Sequence, residues 1–127
     1  MSLECTLTPT LSKRVLIVED DPDTSMTLAE TLRDSGYRVL TAMDRDEATS
    51  ILQSDEVDTV LLDYMMPGQS ASQFLHRVRN VYPNLRIILS TTANRVETVA
   101  RMLGIAEFIA KPIIPDKLLE ILGSPPA

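Results

Sequence analysis

Val15-Leu16-Ile17-Val18-Glu19-Asp20-Asp21-Pro22 is the stretch that decides the fold. Four consecutive apolar residues ending in charge read as a strand buried on both faces, as in a parallel sheet. A second such run, Val60-Leu61-Leu62, ends in Asp63. In an open α/β sheet the ligand sits outside the carboxyl ends of the strands, where strand order reverses. Glu19, Asp20 and Asp63 are therefore expected in one cleft. Carboxylates packed side by side repel one another unless a hard cation neutralises them. A magnesium site with a reactive aspartate is the first expectation.

Outward from these two runs, strand and helix signals alternate about five times. Strands are expected at residues 14–19, 38–41, 58–62, 86–90 and 107–110. The first helix is capped by Asp21 or Asp23, with Pro22 at an early position, and runs to about Ser35 before Gly36. Met26, Ala29 and Leu32 or Leu28 follow helical spacing. The second helix covers 44–53 with Asp44 as its cap. The third starts at Ser70 or Ser72 and carries Phe74, Leu75, Val78 and Val81, with Pro83 closing it. The fourth covers 94–103 and looks short; the fifth opens at Pro115 and carries Leu118, Leu119, Ile121 and Leu122. Strands alternating with helices of this length imply βαβ units and a parallel sheet. Residues 1–12 read as a tail, 13–123 as the domain, and 124–127 as a second tail or the start of a linker.

The 127 residues suit one domain, and 44% hydrophobic content supplies a core without staples. The net charge of −6 argues against binding of nucleic acid or of an anionic membrane surface, while leaving contact with a basic protein partner open. A lone cysteine, Cys5, makes no internal disulfide or Cys-rich metal site, and a cytoplasmic location fits. No apolar run approaches the roughly 20 residues of a membrane span.

Further residues add chemistry at the same end of the sheet. Asp63 is followed by Tyr64-Met65-Met66-Pro67-Gly68; Pro-Gly turns the chain at once and leaves Asp63 at the strand tip. Alone, Asp63 reads as a capping residue; with Glu19 and Asp20 it reads as chemistry, because clustered acids are costly without a purpose. Lys111, before Pro112, can reach across the cleft to a carboxylate or phosphoryl group, and the Lys-Pro pair raises the chance of a cis bond. Ser90, Thr91 and Thr92 offer hydroxyls to a phosphoryl oxygen. His76, the only histidine, reads as a residue on a solvated face.

In this order and on these elements, the acidic pair after strand one, the Leu61-to-Gly68 segment, the strand-four hydroxyls and Phe108-Ile109-Ala110-Lys111-Pro112 resemble the receiver domain of two-component response regulators. The resemblance implies a flavodoxin-like (CheY-like), doubly wound α/β fold: a five-stranded parallel sheet in order 2-1-3-4-5 with helices on both faces. It implies that Asp63 is the phosphoacceptor, that Asp20 ligates Mg²⁺ (or Mn²⁺) directly and Glu19 often through water, and that Asp63 and the Met65 backbone carbonyl complete the protein's share. Lys111 then pairs with the phosphate, Thr91 moves to bond it, and Phe108 turns inward, switching the surface of helix four, strand five and helix five. The implied partners are a sensor histidine kinase or phosphotransfer protein and a downstream effector, with residues 24–32 and 113–116 setting partner choice. Beyond its own phosphorylation and slow autodephosphorylation, no substrate turnover is implied.

Three features depart from the family pattern. Thr92 followed by Ala93 is an alternative switch pair to Thr91. The chain from Thr91 to Lys111 is about two residues short, a loss assigned to helix four or its leading loop. Ala71 stands where a glycine is usual. A receiver-like interaction module that is no longer phosphorylated is thus the alternative reading. A nucleotide or flavin binder is disfavoured by the acidic loop after strand one, which lacks G-x-G-x-x-G. A metal-dependent hydrolase is disfavoured because no general base is evident. A stand-alone receiver and one excised from a hybrid kinase or transcription regulator both fit the sequence.

Overall fold

A computed structural model describes residues 13–66 and 69–123. The two tails, Cys5 and the Pro67-Gly68 turn lie outside the described residues. Five strands, β1 (Arg14–Val18), β2 (Arg38–Ala42), β3 (Thr59–Asp63), β4 (Arg86–Thr92) and β5 (Glu107–Lys111), alternate with five helices: α1 (Pro22–Asp34), α2 (Arg45–Ser54), α3 (Ala71–Val81), α4 (Val96–Leu103) and α5 (Pro115–Gly123). The strands form one parallel sheet in the expected order β2-β1-β3-β4-β5. Order reverses between β1 and β3, which brings the ends of those two strands together.

Alternation along the central strands sends side chains to two cores. Leu16, Val18, Val60 and Leu62 pack with Ala48 and Leu52 of α2, Phe74, Leu75 and Val78 of α3, and Val96, Val99 and Ala100 of α4. Val15, Ile17 and Leu61 pack with Leu28, Ala29 and Leu32 of α1 and Leu118 and Leu122 of α5. Phe74 is fully buried in the first of these cores. Phe74→Ala is expected to lower unfolding free energy by about 3–5 kcal/mol, read as a shift of the urea midpoint at unchanged slope. A shift under about 1 kcal/mol would mean that the cavity collapses or fills.

The helix starts are chemically marked. The Asp21 side chain accepts from the Thr24 N–H and hydroxyl, and the Asp44 side chain accepts from the Glu47 N–H at 2.7 Å. Ser70 and Gln73 form a reciprocal capping box that settles the start of α3. Gly36, at φ 99°, follows α1 as expected, and Gly104, at φ 69°, ends α4.

Several expected details change. Met26 and Val81 are exposed. The buried stripe of α1 is Ser25, Leu28, Ala29 and Leu32, so Ser25 takes the place expected for Met26. On α3 the stripe is Ala71, Phe74, Leu75 and Val78, and the next inward place falls to Tyr82, whose hydroxyl donates to the Leu52 carbonyl at 2.9 Å. β4 runs two residues past its expected end because it keeps pairing with β5, Thr91 opposite Ala110 and Thr92 opposite Lys111, after β3 has stopped. α4 begins at Val96 rather than at residue 94, because the Arg95 N–H closes a turn on the Thr92 carbonyl at 3.0 Å. α4 has eight residues and no side-chain cap at its start. Ala71 is the buried first residue of α3, and among the described residues only Gly36 and Gly104 have positive φ.

Candidate phosphoryl and metal site

Each acidic residue is placed by the strand that ends at it. β1 stops at Val18, and the Glu19 N–H still donates to the Ala42 carbonyl of β2 at 3.0 Å. That bond holds Glu19 buried at the strand tip, while Asp20 is exposed one residue on. Asp63 is the last residue of β3, opposite Ser90, and only 2% exposed. Carboxylate oxygens of Glu19, Asp20 and Asp63 all lie within 4.8 Å of one another. The strand-end reading of the sequence brings these three together as expected.

Lys111, at the end of β5, crosses the cleft. Its Nζ donates to Asp63 Oδ2 and pairs with Glu19 Oε1, each at 2.9 Å. The Lys111–Pro112 bond is cis. The remaining carboxylate oxygens are held by main chain: Glu19 Oε2 accepts from the Asp21 N–H and Asp63 Oδ1 from the Met65 N–H, both at 3.1 Å. The cluster thus holds three carboxylates against one ammonium. Burial, with the Asp63 charge adding to it, outweighs the Lys111 and main-chain bonds and holds the Glu19 carboxyl above its ordinary range. Burial alone would depress Lys111, but its bonds to Asp63 and Glu19 prevail and raise it. The rise at Lys111 reflects the two carboxylates that face it, whereas that at Glu19 reflects chiefly burial.

A raised carboxyl value makes ionised Glu19 a burden in the folded state. Its contribution is most favourable below the unfolded value near 4.3 and is lost as pH rises through the raised folded value. In chelator-treated protein, Glu19→Gln is therefore expected to gain stability relative to wild type as pH is raised from 4 through that window. Melting temperatures of the two proteins across the series check this; a constant difference would show that Glu19 ionises without penalty.

The donor set suits a hard divalent ion. It consists of carboxylate oxygens, and no histidine lies near, His76 being exposed on α3 and bonded to Asn80. Thr91 is 1% exposed, and its Oγ1 has no hydrogen-bond partner; Ser90 Oγ is likewise buried and unpaired. Thr92, by contrast, is exposed. Phe108 lies on β5 opposite Leu89, 37% exposed. Met65 is exposed. Arg95, in the turn before α4, lies over the Tyr64 ring at 6.0 Å and links that turn to the residue after Asp63. Thr24, Thr27 and Leu28 of α1 and Ile113 and Pro115 line one cleft with Lys111, so the two segments expected to set partner choice share a surface.

One residue at the site escaped the reading of the sequence. Arg45, the first residue of α2, is 1% exposed, and its guanidinium donates to the carbonyls of Asp63 at 2.9 Å, Tyr64 at 2.6 Å and Gln69 at 2.7 Å. The readable signal was its position: a cation in the first turn opposes the helix dipole and calls for a reason.

A family model for the response regulator receiver domain matches residues 15–123. The hydrogenase transcriptional regulatory protein HoxA of Cupriavidus necator is 36% identical over 109 residues, covering 84% of this chain and 22% of HoxA. The chain therefore spans less than a quarter of that curated relative. Among solved structures, the chemotaxis response regulator CheY4 of Vibrio cholerae aligns with a TM-score of 0.78 and 30% identity, over 87% of this chain and 96% of CheY4. The response regulator TrrA of Thermotoga maritima, solved in complex with Mg²⁺–BeF, aligns with a TM-score of 0.75 and 31% identity, over 87% and 96%.

Proposed function

Because the chain belongs to the response regulator receiver domain family, we propose that it accepts a phosphoryl group on Asp63 from a phosphohistidine and thereby changes the surface of α4, β5 and α5. Receiver domains interact with histidine kinases and effectors and bind Mg²⁺ at an acidic pocket. The observation that carries the reading for this chain is the buried Asp63 carboxylate at a strand tip, bridged by one ammonium to a second buried acid.

In the proposed reaction an oxygen of Asp63 attacks phosphorus. The new bond is O–P; the N–P bond breaks, and the imidazole nitrogen leaves with the electron pair. Asp20, Glu19, Asp63 and the Met65 carbonyl would hold Mg²⁺ or Mn²⁺; the clustering of the three carboxylates supports an ion here, and the similar protein TrrA is solved with Mg²⁺–BeF. The bound ion would neutralise carboxylate charge and the charge spread over the phosphoryl oxygens. Lys111 faces Asp63 Oδ2, where it would pair with a phosphoryl oxygen. The unpartnered hydroxyl of Thr91 supports it as the switch residue over exposed Thr92. A phosphoryl group adds about −1.5 to −2 charge, enough to draw Thr91 over and open space for Phe108 to turn inward.

The proposed unit spans residues 13–123. Among the described residues no helix is long and apolar enough to cross a membrane, and we place the domain in the cytoplasm with a histidine kinase or phosphotransfer protein upstream. The effector it controls is proposed only as a protein or domain that reads the α4–β5–α5 face; similarity to a transcriptional regulator favours one that acts on transcription.

The reading is tested by intact-protein mass after incubation with acetyl phosphate, with and without Mg²⁺. A phosphoryl-sized gain that needs the ion is expected. A folded protein that gains no mass from acetyl phosphate or from a phosphorylated histidine kinase would instead be an interaction module working without phosphate.

A further inference from the structure

Arg45 does something unusual for a buried cation. Its three hydrogen bonds go to main-chain carbonyls, two of them in the segment that follows the reactive strand. A guanidinium is costly to strip of water, and an apolar side chain of similar volume would fill the space without that penalty. The use of an arginine here therefore points to the carbonyls it holds.

The decisive geometry lies in one peptide. The Tyr64 carbonyl and the Met65 N–H belong to the same planar unit and point to opposite sides of it. Arg45 Nη2 holds the carbonyl side at 2.6 Å, and Asp63 Oδ1 accepts from the N–H side at 3.1 Å. Rotation of that peptide would break both bonds together. The same Nη2 also holds the carbonyl of Asp63 itself at 2.9 Å. A cation on the carbonyl polarises the peptide and strengthens its N–H as a donor. With Oδ1 engaged in this way, Oδ2 is left to Lys111.

We infer that Arg45 is a positioning residue for phosphoryl transfer, orienting the Asp63 carboxylate through the Tyr64–Met65 peptide. The inference rests on the reading of Asp63 as the phosphoacceptor. It also bears on the proposed metal site, because Met65 is the residue expected to lend its carbonyl.

The test compares wild type with Arg45→Met, Arg45→Lys and Tyr82→Phe. Arg45→Lys keeps the charge, but an ammonium lacks the planar fork that spans separate carbonyls. Tyr82→Phe removes the bond to the Leu52 carbonyl near the other end of α2 and reports what plain loosening of that helix does. Two quantities are read: the ¹H–¹⁵N shift of the Met65 amide, and the rate of phosphoryl uptake from acetyl phosphate at saturating Mg²⁺. Both Arg45 variants are expected to move the Met65 amide proton upfield and to slow uptake about tenfold, with Tyr82→Phe changing neither. If Arg45→Met does not fold, Arg45→Lys decides. A folded Arg45 variant with the wild-type amide shift or the wild-type rate overturns the inference, as does equal slowing by Tyr82→Phe. Should wild type take up no phosphoryl group, the reading of Asp63 fails, while the amide shift still decides whether Arg45 orients that carboxylate.

Discussion

Asp63→Asn is expected to abolish phosphoryl uptake, by roughly 10³-fold or more, while leaving the fold in place. The two side chains have the same shape. An amide oxygen can still accept from the Met65 N–H, as Oδ1 does at 3.1 Å. What disappears is the proposed nucleophile, since an uncharged amide oxygen attacks phosphorus poorly. Lys111 loses one of its two carboxylate partners but keeps Glu19 at 2.9 Å. Removing one negative charge from a cluster of three acids and one ammonium also relieves repulsion, so the melting temperature is expected to hold or rise slightly. Intact-protein mass after acetyl phosphate and Mg²⁺, with circular dichroism on the same sample, reads both effects. Uptake by the variant at the wild-type rate would mean that the phosphoryl group goes to another residue, with exposed Asp20 the first to examine.

The strand tips were legible because their physics is local. An apolar run that ends in charge marks both the strand and the point where it leaves the core, which located Glu19, Asp20 and Asp63 before any fold was known. Caps such as Asp44 were equally plain, because the residue that satisfies a free N–H lies three positions away in sequence. Features that depend on distant neighbours were not. β4 continues to Thr92 because β5 is there to pair with it, a fact absent from the sequence of β4 itself. Tyr82 takes the inward place expected for Val81 because the Leu52 carbonyl, thirty residues away, accepts its hydroxyl. Arg45 was missed for the same reason: its three acceptors come from carbonyls 18 to 24 residues along the chain, and backbone carbonyls carry no signature in sequence. The choice between Thr91 and Thr92, open from spacing alone, becomes a contrast between a buried hydroxyl and an exposed one.

Lys111→Ala is expected to make the stability of the domain depend on divalent cation. In the metal-free protein Lys111 is the positive charge that separates Glu19 from Asp63, at 2.9 Å from each. Removing it leaves two buried carboxylates facing one another. Breaking a fully buried pair costs about 3–5 kcal/mol. The Lys111 side chain is 29% exposed, so water screens part of its interaction and a loss of about 2 kcal/mol is the better expectation. Added Mg²⁺ should restore most of it, because an ion that binds only the folded state stabilises by RT ln(1 + [L]/Kd). The gain in melting temperature on adding Mg²⁺ is then larger for Lys111→Ala than for wild type. The acidic residues remain, so the proposed metal site and the proposed nucleophile, Asp63, are both kept. The switch should nonetheless fail, since nothing on β5 would bind the phosphoryl group and report its presence to Phe108 and α5. Thermal melts with Mg²⁺ and with chelator, followed by partner binding of the phosphorylated variant, separate these parts. Equal stability of variant and wild type in chelator would remove Lys111 from the role of counter-charge, and normal partner switching would remove it from the relay.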